Sequence, residues 1–437
     1  MQTLTSQVNQ TDFPASIFKL DNGLTVIHQQ IAATPVVVAD VWVKAGAIRE
    51  PLEWSGMAHF LEHMVFKGTK RIAPGMFDQI IESRGGITNA ATGHDYAHFY
   101  LTTASTYLGD TLPHLGEILL QAEIHEVEFM REREVVIEEM YSCYDDPDWL
   151  GFQALCSTLY QQHPYGRSIL GEEEQLKGYT PNQMRCFHAS HYQPENITVS
   201  LVGGVCQEEA LSLATEAFGN FKTRSESPPC LVEAEPPLTE NRRRELHLPR
   251  LEQARLLMAW IGPGIGETVG SLIDIKAQSP LKDAYSLDLL AAILASGRSS
   301  RLVRELREEK RLIQDISCDF SLQQDSSLFT ISAWLDAENL EEVETIIRNR
   351  LQELQTTPVK PEELNRSKRL LCNDYAFSTE TPSQLAGLYG YYNTVATAEL
   401  SVVYPFGIQR TTELDLQRIA NQYLSPERYA VTVVVGC

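Results

Sequence analysis

Two copies of one pattern, far apart in the chain, constrain the fold more than any other feature of the sequence. In the first copy, segment 180–192 (TPNQMRCFHASHY) precedes a Pro-Glu turn and the apolar run 197–203, which ends in glycine. In the second copy, segment 411–423 (TTELDLQRIANQY) precedes the same turn and the apolar run 430–436. Each copy predicts a helix that ends at tyrosine, then a turn and a strand. The repeat therefore predicts two halves of one ancestral fold.

Chain length agrees with a division into two domains. A chain of 437 residues is too long for one compact core. Segment 223–244 is rich in proline, serine and charged residues, a composition typical of an interdomain linker. We therefore predict a first domain over residues 1–222, a linker over 223–244 and a second domain over 245–437.

The segment 56–69 (GMAHFLEHMVFKGT) is apolar enough for a buried helix, yet it carries two histidines and a glutamate. Helical residues three and four apart share a face, so His59, Glu62 and His63 project together. Two imidazoles one turn apart can chelate Zn²⁺, and the carboxylate between them can take a proton from the attacking water. This is the H-x-x-E-H inversion of a zinc-peptidase motif. A lone buried histidine is usually a satisfied core residue, but three such groups on one turn each need a partner or a metal.

A second helix can supply the third metal ligand. Segment 129–140 (FMREREVVIEEM) is rich in good helix formers, and Glu132 and Glu139 fall on one face, two turns apart. Glu139 would complete a His/His/Glu set with an open fourth position, as in catalytic zinc sites. Glu132 would orient a ligand histidine. Apolar residues near that face suggest that both carboxylates look inward; they are Val135, Val136 and Met140. For Glu134 and Glu138, a solvated helix face is the better interpretation.

HFLEH followed by R-E-x-V-I-E-E resembles the pitrilysin family of zinc metallopeptidases, in particular its half-length members, such as the subunits of the mitochondrial processing peptidase and their bacterial counterparts. The resemblance implies that His59, His63 and Glu139 bind zinc and that Glu62 is the catalytic base. It places Glu132 at the family's second acidic position, as a member of the catalytic set. Together with the repeat, it predicts an α+β fold of two homologous domains, each a mainly antiparallel sheet covered by helices on one side.

Segment 87–102 reads as two strands around a turn, and its pattern G-G-x-x-N-A-x-T is similar to the family's edge strand, which accepts substrate as an added strand. An edge strand offers unpaired N–H and C=O groups that bind an extended peptide through its backbone. Asn89 and Ala90 are the candidates for substrate contact, although an ordinary hairpin would have the same pattern. His94 and His98 are interpreted as non-ligands because the histidine pair of the helix suffices.

The second half has no H-x-x-E-H motif, so we expect a domain without metal that helps to enclose the first. Segment 295–314 resembles the family's glycine-rich loop and Arg/Tyr pair, which holds substrate and stabilises the tetrahedral intermediate. Arg307 matches the arginine, but Gln314 stands at the tyrosine position. We therefore expect a heterodimer in which a paralogous, zinc-free subunit supplies the pair. A homodimer that uses Gln314 is the alternative.

The predicted function is zinc-dependent endopeptidase activity on peptides or unfolded segments, which would be enclosed between two subunits. Two other functions stay open: a structural core subunit without catalysis, and a regulatory module that binds peptides. A net charge of −22 argues against nucleic acid and anionic membranes as partners. The N-terminus shows no secretory signal, and the eight cysteines are scattered without a C-x-x-C pair, which predicts free thiols in a reducing cytoplasm.

Overall fold

Two β-sheets, each with its own layer of helices, form the part of the chain that the computed structural model describes, residues 13–222, 232–266 and 280–437. Antiparallel pairs dominate both sheets, and each sheet contains one parallel pair. The predicted α+β class with two mainly antiparallel sheets is thereby confirmed.

The first sheet has six strands in the order β1-β2-β6-β3-β5-β4. The strands are β1 (Ser16–Lys19), β2 (Thr25–Gln30), β3 (Val36–Val43), β4 (Ile87–Thr92), β5 (Ala97–Ala104) and β6 (Ile197–Gly203). The helices of this half are α1 (Met57–Val65), α2 (Met76–Glu82), α3 (Leu108–Leu120), α4 (Glu126–Tyr144), α5 (Pro147–Leu159), α6 (Glu173–Gly178), α7 (Pro181–His191) and α8 (Gln207–Phe218). Strand β4 lies at the edge, as its pattern predicts.

The second sheet has five strands in the order β7-β11-β8-β10-β9. They are β7 (Arg242–Leu248), β8 (Ala254–Ile261), β9 (Ile313–Ser321), β10 (Leu328–Leu335) and β11 (Ala430–Gly436). The helices are α9 (Pro280–Ala295), α10 (Leu340–Thr356), α11 (Pro361–Phe377), α12 (Pro382–Val395), α13 (Tyr404–Arg410) and α14 (Glu413–Tyr423). A π-helical segment, Val303–Glu309, precedes β9.

Both sheets repeat one topology. In the first, β6 pairs parallel with β2 and antiparallel with β3, which continues through β5 to the edge strand β4. In the second, β11 pairs parallel with β7 and antiparallel with β8, which continues through β10 to the edge strand β9. Helices α7 and α14, which precede β6 and β11, are the two helices of the sequence repeat.

Each sheet also receives a helix from the other half on its second face. Helix α5 of the first half packs on β7, β8 and β11, and helix α12 of the second half packs on β3 and β6. Small residues allow these close approaches. A Cβ at Gly151 of α5 would lie 3.0 Å from Leu257, and a Cβ at Gly390 of α12 would overlap the ring of Trp42. The two halves are therefore interleaved, with apolar surface of each sheet buried by the other.

The linker prediction needs one correction. Residues 223–231 of the predicted linker lie outside the described residues, but Arg242 to Arg244 belong to β7. These arginines can lie in a strand because their side chains have hydrogen-bond or ion-pair partners on neighbouring elements. Arg242 donates to the carbonyl of Leu159 at 2.8 Å, and Arg243 pairs with Glu344 at 2.8 Å.

None of the helices in the described ranges combines the length and the hydropathy that a membrane span requires. The cysteines of those ranges are free thiols; they are Cys143, Cys156, Cys186, Cys206, Cys318, Cys372 and Cys437.

The contact between α12 and the first sheet yields a stability prediction. Gly390→Ala places a methyl group against the buried Trp42 ring, so we expect the free energy of unfolding to fall by about 1–3 kcal/mol. Gly178→Ala is the control, because nothing lies near its Cβ position at the end of α6. Urea denaturation of both variants measures the difference. Equal stability of the two variants would contradict the tight packing of α12 on β3.

Candidate metal centre

Helix α1 has an apolar face and a face of ionisable residues, because each kind of residue recurs along the helix three or four positions apart. Phe60, Leu61 and Met64 are fully buried in the core of the first domain. His59 and His63 project from the other side, with ring centroids 4.9 Å apart. The ring of Phe60 packs against Phe129 of α4 at 4.7 Å, and this contact brings the two helices together.

The N-terminus of α1 is held by a buried carboxylate. The side chain of Glu50 accepts hydrogen bonds from the backbone N–H groups of Gly56 at 3.0 Å and Ala58 at 2.7 Å. These are unpaired donors of the first helical turn, whose positive dipole end also favours a negative charge. Gly56 is required here, since its φ is +88° and a Cβ would lie 2.6 Å from the carbonyl oxygen of Leu170. Burial raises the pKa of Glu50 to about 8.

Donor atoms of α1 and α4 meet beside this helix. One donor atom each from His59, His63 and Glu139 lies within 4.8 Å of the other two. Glu139 Oε2 lies 3.7 Å from His59 Nε2 and 3.2 Å from His63 Nε2. Ligands at about 2.0–2.1 Å from a tetrahedral zinc ion are about 3.3 Å apart, so this donor set fits zinc in both chemistry and spacing.

Glu132 contacts the other side of one of these histidines. Its Oε1 lies 3.0 Å from Nδ1 of His63, and its Oε2 pairs with Lys67 Nζ at 2.8 Å. Glu132 and Glu139 thus contact the two nitrogens of one imidazole, which fixes the orientation of the ring and leaves Nε2 aimed at Glu139.

The two histidines differ in their electrostatic environment. Burial, together with the neighbouring His63, lowers the pKa of His59 to about 4, so its imidazole is neutral at neutral pH. Burial alone would lower the pKa of His63, but its contacts with Glu132 and Glu139 raise that pKa to about 9. A metal ion at this position would therefore displace a proton from His63.

Glu62 lies next to this cluster without belonging to it. Its Oε2 accepts a hydrogen bond from the hydroxyl of Thr92, at the end of β4, at 2.6 Å. Burial raises the pKa of Glu62, and the Thr92 hydrogen bond opposes that change. The edge strand β4 and the glutamate of α1 are therefore directly connected.

The candidate substrate residues lie on that edge strand. Asn89 is exposed and Ala90 is half-buried, and the Asn89 side chain accepts a hydrogen bond from the N–H of Ala90 at 2.9 Å. Within the described residues, β4 pairs with β5 and with no strand on its other side. An extended peptide could therefore add to the sheet here.

Arg307 is not brought to this cluster. It lies in the π-helical segment of the second domain and pairs with Glu308 at 3.2 Å and Asp315 at 3.4 Å, and among the described residues it has no ion pair with the first domain. Gln314 is exposed at the start of β9. A role for either residue at the donor cluster would need an additional subunit or a domain movement.

Burial tests the remaining expectations for the residues of α4. Glu134 and Glu138 are exposed. The expectation that both carboxylates look inward fits Glu132, which is 8% exposed, better than Glu139. Of the apolar residues near that face, Val136 and Met140 are fully buried and Val135 is 49% exposed. It follows Glu132 by one turn and precedes Glu139 by one turn, and the Glu139 side chain is itself 44% exposed, so this stretch of the helix borders open space.

The two histidines of the β4–β5 hairpin contact residues outside the donor cluster. His98 Nδ1 lies 3.2 Å from Asp40 Oδ1, and its ring stacks on Trp42 at 4.3 Å. His94 is packed against the ring of Tyr165 at 5.1 Å.

The sequence analysis missed Glu50 and Lys67, and it included Thr92 only as the last residue of the edge-strand pattern, without its contact to Glu62. No local signal could reveal Glu50, because capping signatures place the capping side chain directly at the helix start, and Glu50 precedes Gly56 by a loop. Lys67 has a weak signal, since it follows His63 by four residues, just beyond the end of α1. Thr92 reaches Glu62 only because the sheet folds beneath α1.

Two sequence models of one peptidase family match the chain. The model described as "Insulinase (Peptidase family M16)" matches residues 25–173, and the model described as "Peptidase M16 inactive domain" matches residues 178–371. The chain belongs to the M16 peptidase family. Within this M16 chain, the first match contains every residue of the donor cluster, and the second covers most of the strands of the second sheet.

Relatives of this M16 chain are similar over nearly its whole length. The zinc protease PqqE of Helicobacter pylori is 29% identical over 408 residues, which cover 92% of this chain and 89% of PqqE. A probable mitochondrial-processing peptidase subunit beta of Arabidopsis thaliana is 24% identical and covers 95% of this chain and 77% of its own. The crystal structure of a Helicobacter pylori protease superposes with a TM-score of 0.88 at 27% identity, over 96% of this chain and 99% of that one.

The capping of α1 yields a prediction. Glu50→Ala leaves two buried N–H groups without an acceptor, so we expect the free energy of unfolding to fall by about 2 kcal/mol. The exposed Glu53, in the same loop, is the matched control, and Glu53→Ala should change stability by less than about 0.5 kcal/mol. Urea denaturation of both variants gives the comparison. A loss for Glu50→Ala no larger than that for Glu53→Ala would show that the carboxylate does not stabilise the helix.

Proposed function

We propose that this M16 chain is a zinc-dependent endopeptidase whose metal ligands are His59, His63 and Glu139. The proposal rests on the donor atoms of these three residues. They lie within 4.8 Å of one another, although two of the residues belong to α1 and the third to α4. Three protein ligands leave a fourth position for water or substrate, which is the arrangement of catalytic zinc sites. The names of relatives, such as the zinc protease PqqE, support zinc as the metal.

The chemistry is peptide hydrolysis. Zinc in this site would supply a Lewis acid that lowers the pKa of water and polarises the scissile carbonyl. Glu62 takes the proton of the attacking water and returns it to the leaving amine, a task for which a raised carboxylate pKa is suited. Thr92 holds Glu62 through a hydrogen bond of 2.6 Å, and Glu132 holds His63 at 3.0 Å.

The substrate is an extended peptide or an unfolded segment. It binds as an added strand along β4, with Asn89 and Ala90 as its backbone contacts, because this edge has no strand partner in the described chain. The Glu139 side chain is 44% exposed and Val135 is 49% exposed, so the donor cluster can be reached from solvent.

The active form is proposed to be a heterodimer. Arg307 pairs with neighbours of its own domain, and Gln314 replaces the tyrosine expected from the family resemblance. A zinc-free paralogue would supply the Arg/Tyr pair, and one relative is named as a subunit of a processing peptidase. A homodimer using Gln314 is the second candidate, and a non-catalytic core subunit has less support because it needs no such donor set.

A reducing cytoplasm is the proposed compartment. The cysteines of the described residues are free, and Cys156 and Cys318 are buried singly in apolar surroundings. Cys230 lies outside the described residues. Free thiols that are scattered through a domain are typical of a reducing compartment.

The base assignment is tested by Glu62→Gln. The amide cannot accept the proton of water, so we expect hydrolysis of a quenched fluorescent peptide library to fall at least about 10²-fold. Zinc content should stay that of the wild type, because Glu62 is not among the clustered donors. Glu134→Gln on the exposed face of α4 is the control and should leave both quantities unchanged. Wild-type hydrolysis by Glu62→Gln would refute the assignment.

The subunit arrangement is tested with the purified, zinc-loaded chain alone. If a partner supplies an oxyanion donor, hydrolysis by the single chain should be about 10²–10³-fold slower than that of the complete complex. Molar mass from light scattering of the same sample reports its oligomeric state. Full, chelator-sensitive hydrolysis by a homodimer would contradict the heterodimer, and Gln314→Ala would then be expected to reduce it.

A further inference from the structure

The ends of two equivalent hairpins meet at the boundary between the domains. The first is the turn 93–96 between β4 and β5, and the second is the loop 322–327 between β9 and β10. Each hairpin consists of the edge strand of its sheet and the strand beside it. We call this meeting the hairpin contact.

Asp95 is the centre of the hairpin contact. Its side chain is buried, with 5% exposure, and both carboxylate oxygens have partners. Oδ1 accepts a hydrogen bond from the Tyr165 hydroxyl at 2.6 Å, and Oδ2 accepts one from the backbone N–H of Gln324 at 3.1 Å. Tyr165 belongs to the first domain and Gln324 to the second, so one carboxylate joins both.

The loop of the second domain is itself fixed. The N–H groups of Ile265 and Gly266, after β8, donate to the carbonyls of Gln323 at 3.1 Å and Gln324 at 2.7 Å. The Tyr160 hydroxyl of the first domain donates to the carbonyl of Ser326 at 3.1 Å. A loop with its backbone bound on two sides is a rigid support for Asp95.

The turn that carries Asp95 leads directly to the candidate catalytic residues. Thr92, which hydrogen-bonds Glu62, is the last residue of β4 before the turn. The carbonyls of Gly93 and His94 accept hydrogen bonds from the N–H groups of Ala47 at 3.1 Å and Ile48 at 2.9 Å. Those two residues lie in the segment that leads to α1, so the turn contacts both the edge strand β4 and the segment that precedes α1.

We propose that Asp95 is a positioning residue, which uses the second domain's loop 322–327 to hold β4, and through Thr92 the base Glu62, in place for reaction. This rests on the proposed peptidase function. It gives the second domain a direct part in the proposed catalysis, beyond enclosing the substrate.

The test compares Asp95→Asn with Tyr165→Phe in the full, zinc-loaded chain. The asparagine has no charge and offers one acceptor oxygen instead of two, so the N–H of Gln324 and the Tyr165 hydroxyl no longer each have an oxygen of residue 95. The phenylalanine removes the hydroxyl and leaves Asp95 intact. Asp21→Asn, at an exposed position in the β1–β2 turn of the same sheet, is the matched control.

We expect Asp95→Asn to lower kcat by about 10–100-fold with a smaller change in KM, since displacement by about 1 Å can have effects of this size. Zinc content should stay that of the wild type. Amide hydrogen exchange should accelerate in β4 and at Ala47 and Ile48, and remain unchanged near β1. Tyr165→Phe should show the same pattern more weakly, and it serves in place of Asp95→Asn if that variant does not fold.

Two results would overturn the proposal. Unchanged kcat with a lowered melting temperature would make Asp95 a purely structural residue. Unchanged exchange in β4 would show that the contact does not hold the strand, whether or not the chain cleaves peptides. Failure of the proposed function is a separate result: the wild-type chain would then show no chelator-sensitive cleavage at all.

Discussion

The contact of His63 with two glutamates of α4 is the interaction on which the rest of the site depends. Glu132 holds Nδ1 at 3.0 Å and Glu139 lies 3.2 Å from Nε2, so the imidazole has one available orientation. Ionisable groups are costly to bury without partners, and here each one partners another. Phe60 and Phe129 bring α1 and α4 together, and Glu50 holds the start of α1, so a helix of nine residues is fixed on several sides.

The interleaving of the two halves makes each domain part of the other's packing. Helix α5 of the first half covers one face of the second sheet, and helix α12 of the second half covers one face of the first sheet. Each half therefore needs the other to bury part of its apolar surface. The same boundary contains the contact of Asp95 with the second domain at 3.1 Å. The packing of the two halves and the proposed placement of β4 therefore share one interface.

Local sequence patterns predicted the helices and strands, but they could not predict the contacts between separate elements. The spacing of His59, Glu62 and His63 predicted one helical face, and segment 129–140, predicted as helix, lies within α4. The repeat predicted two related halves, which the common strand order of both sheets confirms. Glu50, Thr92 and Asp95 carry no comparable signal, because their partners come from other elements.

Two errors have the same origin. Both carboxylates of α4 were expected to look inward because apolar residues such as Val135 lie near them, but the side of α4 next to Glu139 borders open space. Arg242 to Arg244 were assigned to a linker because charge runs usually lie outside strands, but β11 and the carbonyl of Leu159 provide partners for this one. In both cases the composition of a short segment was outweighed by what packs beside it.

X-ray absorption at the zinc K-edge of the purified chain tests the central claim most directly, since it reports the ligands without requiring a substrate. The account predicts one zinc per chain with two imidazole nitrogens and oxygen ligands at about 2.0–2.1 Å and no sulfur. His63→Ala should remove the metal. A spectrum with sulfur ligands, or a chain that retains no zinc, would contradict the site formed by α1 and α4.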